Sequence, residues 1–423
     1  MRARPFWTLL VLISVGAYLV RVVYILDIAR HQQLGGDAFT FHLLANLLGD
    51  GRGFISPQQL VFRGIVEPTA EHPPLYPLLL GAVSWLGGTG ATVHRLASAL
   101  MGTGTVFVLG LLGRRIAGER AGLAAAGLAA VYPLFIVTDG TLLSESLYGL
   151  LIALVLLVAY RLVDRPTPWR AAVLGGACAL AALTRSEASL LILILAIPLA
   201  WRGGRVLRGR RVAAVCVAFL LVLSPWLIRT WIVFNQPVWI STNSGTLIAG
   251  ANCSRTYYGP WIGLWQIGPC IGPAHGNEAE RAATLRSQGV RYARHHASRV
   301  PLVVAVRVLR IWDFYRPNQQ AGYETLEQRD LRFEQAGVGV YYALLPLAMY
   351  GLVLLRRRRQ PLIVLLSPAI LVTLAGVLGY GITRLRMAAD VSIVVLAAVA
   401  MVALIERLAV ALPPTSETLG RQQ

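Results

Sequence analysis

The chain reads as an all-α polytopic membrane protein, and three observations carry that reading. Apolar stretches recur along nearly all of its 423 residues, 56% of the residues are hydrophobic against 14% charged, and the charges gather in short loops between the apolar stretches. A soluble domain has no use for so much apolar chain. A helix needs about 20 apolar residues to cross a bilayer. About ten stretches meet that need, two of them short: 6–26, 92–112, 121–138, 143–162, 170–184, 188–201, 212–233, 337–355, 361–380 and 388–410.

The first run, Phe6 to Leu26, follows Arg2 and Arg4 and is too long for a signal-peptide core, so it is expected to stay as an anchor. Orientation comes from arginine, because the chain has no lysine and all 39 basic residues are Arg. Arg114-Arg115, Arg161 with Arg165 and Arg170, the Arg202–Arg211 cluster and Arg356–Arg359 fall on one side, which the positive-inside rule makes cytoplasmic, with both termini. Segments 27–91 and 234–336, and the turns at Asp139, Arg185–Glu187 and Gly381–Met387, then face outward. The reading is one domain over 1–410 and a short cytoplasmic tail over 411–423. The net charge of +19 lies beside apolar spans, which favours membrane lipids and phosphates over nucleic acid.

Three stretches are too short or too amphipathic to span. Ala38–Leu48 places Phe39, Leu43, Leu44 and Leu47 at helical spacing, and Leu75–Leu86 starts after Pro73-Pro74; both are expected to lie in the outer interface. The third, Arg299–Tyr315, sets Val303, Val306, Leu309 and Trp312 beside Arg307 and Arg310, as an interfacial helix would. Cys178 and Cys216 fall in apolar runs as packing residues, whereas Cys253 and Cys270 share a long outer loop where an oxidising compartment permits a disulfide. Walker, zinc and dinucleotide motifs are missing, so ATP hydrolysis and redox chemistry find no support, and no inverted repeat favours a transporter.

Charges at a membrane boundary are costly unless something satisfies them. The outward set is Asp37, Glu71, Asp139, Glu145 and Glu187. Asp37 stands where a helix N-cap would, and Glu145 where a first-turn carboxylate would meet the helix dipole; both structural roles compete with chemistry. Glu71 and His72 precede two prolines, and with Glu145 they form a candidate set for a hard divalent cation. Arg384 and Arg386 could clamp a phosphate or anchor at the interface. Arg185 could pair with Glu187.

These residues resemble a family. Gly-Gly-Asp37, Glu71-His72-Pro73-Pro74-Leu75-Tyr76-Pro77, Leu-Leu-Ser-Glu145, Thr-Arg185-Ser-Glu187 and Arg384-Leu-Arg386 look like the bacterial family 39-type membrane glycosyltransferases. Those are relatives of protein O-mannosyltransferases and of the lipid A aminoarabinose transferase, with the GT-C fold. The resemblance runs through most of the chain in order, and Glu-His-Pro-Pro-Leu-Tyr-Pro is its most specific part. It implies a polyprenyl-phosphate sugar donor, a cell-envelope acceptor on the outer face of a bacterial inner membrane, and a hexosyl or pentosyl transfer with inversion. Asp37 matches the catalytic carboxylate. Glu71, His72 and Glu145 match a metal-holding region, and Asp139, Arg185, Arg384 and Arg386 are expected around the substrate. No nucleotide is needed, since the donor is already activated. The chain departs from the mannosyltransferase pattern at Asp37-Ala38, where a second acid is missing, which argues against protein mannosylation. A flippase for lipid-linked sugars is the competing function; it would use the same arginines and no base.

Overall fold

A computed structural model describes residues 4–202 and 204–411. The tail expected at 411–423 lies, beyond its first residue, outside the described residues. All ten expected spans fall on helical stretches, and no strand longer than the isolated Ile55–Pro68 bridge occurs among the described residues. Six helices are long and apolar enough to cross a membrane by themselves: Pro5–His31, Ala91–Ala117, Glu145–Asp164, Leu207–Phe234, Leu331–Arg357 and Thr383–Ala409. Glu119–Val131 and Pro133–Gly140 make a seventh if taken as one broken span, bent by 54°. The break falls at Pro133, whose ring has no N–H to continue the ladder. Residues 188–201 are also irregular: a 3-10 turn, a π-turn and a short α-helix follow one another over Ser186–Trp201.

Burial sorts the spans into layers. The best windows of Glu145–Asp164 and Thr383–Ala409 are 72% buried and form the centre, whereas those of Pro5–His31 and Leu207–Phe234 are 33% and 28% buried and lie at the rim. Rim residues such as Leu12, Leu19, Val23, Leu221 and Ile232 are exposed, as a lipid-facing surface requires. Inside, alanine and glycine let helices close up: a Cβ on Gly122 would collide with the Gly110 carbonyl, and one on Gly351 with that of Leu396. Dispersion at such close crossings replaces the hydrophobic drive that lipid surroundings remove.

The outer segments form a cap over one end of this bundle. Gly36–Gly49 packs on Leu75–Trp85, close to the two interfacial helices expected there. Ser244–Ala251 packs on Glu278–His295, whose start is closed by reciprocal bonds between Asn277 and Glu280. A disulfide joins Cys253 to Cys270 within the same cap. The amphipathic stretch is a helix over Val300–Ile311, but its arginines do not face an interface. Arg310 is fully buried and donates from Nε to the Ile262 carbonyl at 2.6 Å, and Arg307 donates to Ala251 and Asn252, while Leu302 and Leu309 are exposed. A loop with few regular hydrogen bonds leaves carbonyls unpaired, and these guanidinium groups satisfy them.

Beneath the cap, Arg21, Arg329 and Arg386 are buried against carboxylates. Arg21 meets Asp139 at 2.6 Å with both side chains 1% exposed. Removing one partner of a buried pair costs about 3–5 kcal/mol. The Asp139→Ala variant should therefore unfold at a clearly lower temperature in detergent, and Arg21→Met with Asp139→Leu should recover most of the loss. An unchanged melting curve for Asp139→Ala would remove the pair from the account of stability.

Candidate active site

Four segments far apart in sequence converge on one guanidinium. Arg384 lies in the short turn Thr383–Arg386 at the mouth of the last span, and its backbone N–H donates to Glu324 Oε1 at 3.0 Å. Its side chain reaches Asp37 Oδ2 at 2.8 Å, Glu327 at 3.6 Å and Glu145 at 3.7 Å. Its Nε and Nη1 atoms are buried and make no hydrogen bond, facing Glu145 at 3.7 Å and Glu327 at 3.6 Å. Arg185 extends the cluster, donating to Glu145 at 2.5 Å and to Glu187 at 2.6 Å.

Asp37 is in the first turn of Gly36–Gly49, yet its carboxylate does not cap that helix; Gly35 holds the cap position and Asp37 points to Arg384. Gly36 has φ +54 and no room for a Cβ against the Glu327 carboxylate, so glycine is required there. That approach lets the Asp37 N–H donate to Glu327 Oε2 at 3.1 Å. The Glu71-His72-Pro73-Pro74 segment is pinned by its backbone: Ala70 N–H bonds Glu278, Thr242 N–H bonds the Ala70 carbonyl, and Leu75 N–H bonds the Leu183 carbonyl. His72 is thereby fixed against Phe41, with Nε2 3.8 Å from Asp37 Oδ1.

The acids titrate apart. Burial pushes the Asp37 carboxyl up, but Arg384, His72 and Arg185 together hold it below its ordinary range. Glu327 feels burial most, Arg384 offsets only part of it, and Asp37 repels its charge, so it rises to about 7. Burial raises Glu71 as well. Two neighbouring acids with opposite shifts make one a standing carboxylate and the other a group half-protonated near neutrality.

The expected site residues divide. Asp37, Glu71, His72, Glu145, Arg185 and Arg384 gather around this cleft. Asp139 and Arg386 do not: Asp139 is paired with Arg21 in the bundle, and Arg386 is fully buried between Asp313 (2.8 Å) and Asp390 (3.0 Å) over the Tyr341 ring. Alternate residues of a tight turn point opposite ways, so Arg384 and Arg386 cannot clamp one phosphate. The expected metal set also fails to assemble. Among the described residues no three His, Cys, Asp or Glu side chains meet in a metal-holding group, and Glu145 gives its oxygen to Arg185. Guanidinium groups stand where a cation would have neutralised the acids. Glu324 and Glu327 were not anticipated, because they lie in a long charged loop with no motif around them.

Residues 71–229 match the model of the dolichyl-phosphate-mannose-protein mannosyltransferase family. Among solved structures, the oligosaccharyltransferase of Archaeoglobus fulgidus in the apo form matches 97% of this chain and 52% of its own, at 15% identity and TM-score 0.55. The archaeal oligosaccharyltransferase AglB from the same organism, in complex with an inhibitory peptide and a dolichol-phosphate, matches 96% and 51%, at 16% identity and TM-score 0.55. ArnT from Cupriavidus metallidurans bound to undecaprenyl phosphate matches at 15% identity and TM-score 0.45, over 98% and 82%. No curated protein matches the sequence. The chain spans about half the length of the archaeal structures, and the likeness shows the fold: a multi-pass helical membrane protein of GT-C type.

The raised Glu327 has a consequence for stability. An acid whose folded pKa rises from 4.5 to about 7 keeps a proton that the unfolded chain releases, so stability falls as pH climbs through that window. Glu71 adds in the same direction, whereas Asp37 contributes stability that is lost only as pH falls through its depressed value. Melting temperature should drop between pH 5 and pH 8, and Glu327→Gln should flatten that slope. Identical slopes in the two proteins would show that Glu327 is ionised throughout.

Proposed function

We propose that the chain is a membrane glycosyltransferase that moves a sugar from a polyprenyl-phosphate donor to a cell-envelope acceptor, with inversion, on the outer face of a bacterial inner membrane. Residues 1–410 act as one catalytic unit. The observation that carries this reading is that Asp37 and Arg384 line a cavity of about 530 Å³ whose walls are both basic and apolar. Arg185, Arg286 and Arg384 line it together with Leu190, Leu247, Ala375 and Leu378. An anionic headgroup with an apolar tail fits such walls. The dolichol-phosphate of the AglB complex is a ligand of the same chemistry in a protein of the same fold.

Asp37 accepts the acceptor's hydroxyl proton as that oxygen attacks the anomeric carbon from the face opposite the phosphate. The anomeric C–O bond breaks, its electron pair stays on the phosphate oxygen, and polyprenyl phosphate leaves. Arg384 and Arg185 stabilise the charge that grows there, using donors already held in place by Glu145, Glu187 and Glu324. Arg384 also couples the two events. Its charge is shared between Asp37 and the phosphate, so a bound donor loosens the hold on Asp37 and makes it a stronger base. Protonation of Glu327 removes a repelling charge from the donor's neighbourhood.

Asp37→Asn should reduce transfer by about 10²–10⁴-fold while polyprenyl-phosphate binding changes little. Arg384→Ala should instead weaken that binding. Release of polyprenyl phosphate from a purified panel of polyprenyl-phosphate sugars reads the first effect. A carrier of lipid-linked sugars would keep translocating with Asn at position 37, and that outcome would overturn the transferase reading.

A further inference from the structure

The cleft does not end at Asp37. A second cavity of about 470 Å³ opens on its other side and shares Asn243, Tyr380 and Arg384 with the first. It continues into a third of about 640 Å³ through Gln58, Glu71, Asn243 and Thr246, which line both. Charge separates the two sides. The donor side sets Arg185, Arg286 and Arg384 against Asp37 and Glu187, whereas the second cavity gathers Asp37, Glu71, Glu324 and Glu327 around Arg384 as its one guanidinium, and His72 lines both. The third adds Glu67 and Glu278, against Arg63 and Arg281. Flat apolar surface comes from Trp265, Tyr323 and Tyr380. Gln58 donates to Thr40 Oγ1 at 2.5 Å, which leaves its Oε1 buried with no hydrogen-bond partner.

We infer that this acidic groove, running from Asp37 to Glu278, holds the acceptor, and that the acceptor is a glycan whose sugars are neutral or carry amines. The inference rests on the transferase reading above. Sugar hydroxyls each bring a donor, and the groove offers carboxylate and amide oxygens in excess of cations to receive them. The C–H faces of a sugar ring are apolar and pack on aromatic rings such as Trp265, while the ring edges stay polar. The size falls in the range of enclosed small-ligand sites. A uronate or phosphate-bearing acceptor would bring its charge against the Asp37 carboxylate and the acids beside it. A peptide recognised by strand addition needs a sheet edge, and the described residues bring none to this cleft.

The test reads binding, so that it stands apart from turnover. The purified chain in lipid nanodiscs is titrated, by saturation-transfer NMR, with a neutral hexose trisaccharide, a glucosamine trisaccharide, a galacturonate trisaccharide and a Ser/Thr-rich peptide. The neutral or amino glycan should bind saturably, and Gln58→Leu and Trp265→Phe should each weaken it at least tenfold at unchanged melting temperature. The galacturonate should bind only after Glu71→Gln with Glu327→Gln. Galacturonate binding to the unaltered protein, binding of the peptide alone, no saturable binding by either glycan, or glycan affinity unmoved in whichever of the two variants folds, would each overturn the inference. Polyprenyl-phosphate binding is measured alongside: if it persists while glycan binding fails, the acceptor inference falls and the transferase reading stands.

Discussion

The constraint on which the site depends is the burial of the Arg384 guanidinium. A cation removed from water needs compensation from carboxylates held at fixed distances, and here they come from residues 37, 145 and 327, with Glu324 holding the backbone. Each belongs to a different part of the chain. The loop after the first span, a central span, the long loop before Leu331–Arg357 and the start of the last span must therefore all be in place before the charge is satisfied. The cap is closed on the bundle by the same electrostatics that would hold a phosphate. Of the three acids Asp37 alone is at hydrogen-bond distance, with Glu327 and Glu145 at 3.6 and 3.7 Å.

Below the cleft the bundle repeats the principle. Arg21 with Asp139, Arg329 with Glu334, and Arg386 with Asp313 and Asp390 are buried pairs between helices or at helix ends. In a low-dielectric interior, mispaired charges are heavily penalised, so such pairs fix register between helices that apolar packing alone would let slide. Arg386 shows the division of labour most clearly. Two residues from Arg384, it ties the last span to the end of Val300–Ile311 and stacks on Tyr341, and so locks the turn from which Arg384 projects.

Much of this was legible in the sequence. Apolar run length located the helical stretches, since the cost of unsatisfied backbone in lipid leaves few alternatives to helix. Asp37, Glu145, Arg185 and Arg384 were legible because charge at a membrane boundary needs a reason. What was not legible is pairing. Hydropathy shows that Asp139 and Arg386 are in or near the membrane, but it is blind to the partner that neutralises them. It could not tell that Arg307 and Arg310 turn inward, because an arginine that satisfies loop carbonyls and one that snorkels have the same local pattern. Glu327 was hidden for a related reason. Its significance arises from Asp37, 290 residues away in the chain, whose backbone N–H it accepts, and a glycine at position 36 that makes room for it.

The charge distribution also argues for how two substrates can share one small space. Asp37 lies at the boundary between a basic side with apolar walls and an acidic side rich in amides and aromatic rings. An anionic lipid headgroup is drawn to the first and repelled by the second; a neutral or amine-bearing sugar has no reason to displace it. Each ligand is thus excluded from the other's seat by electrostatics, and little steric gating is required. The one group both must meet is the Asp37 carboxylate, with Arg384 against it. On the proposed transferase reading, a base at that boundary would have its strength set from the donor side and its proton supplied from the acceptor side, which would couple leaving-group departure to nucleophile activation.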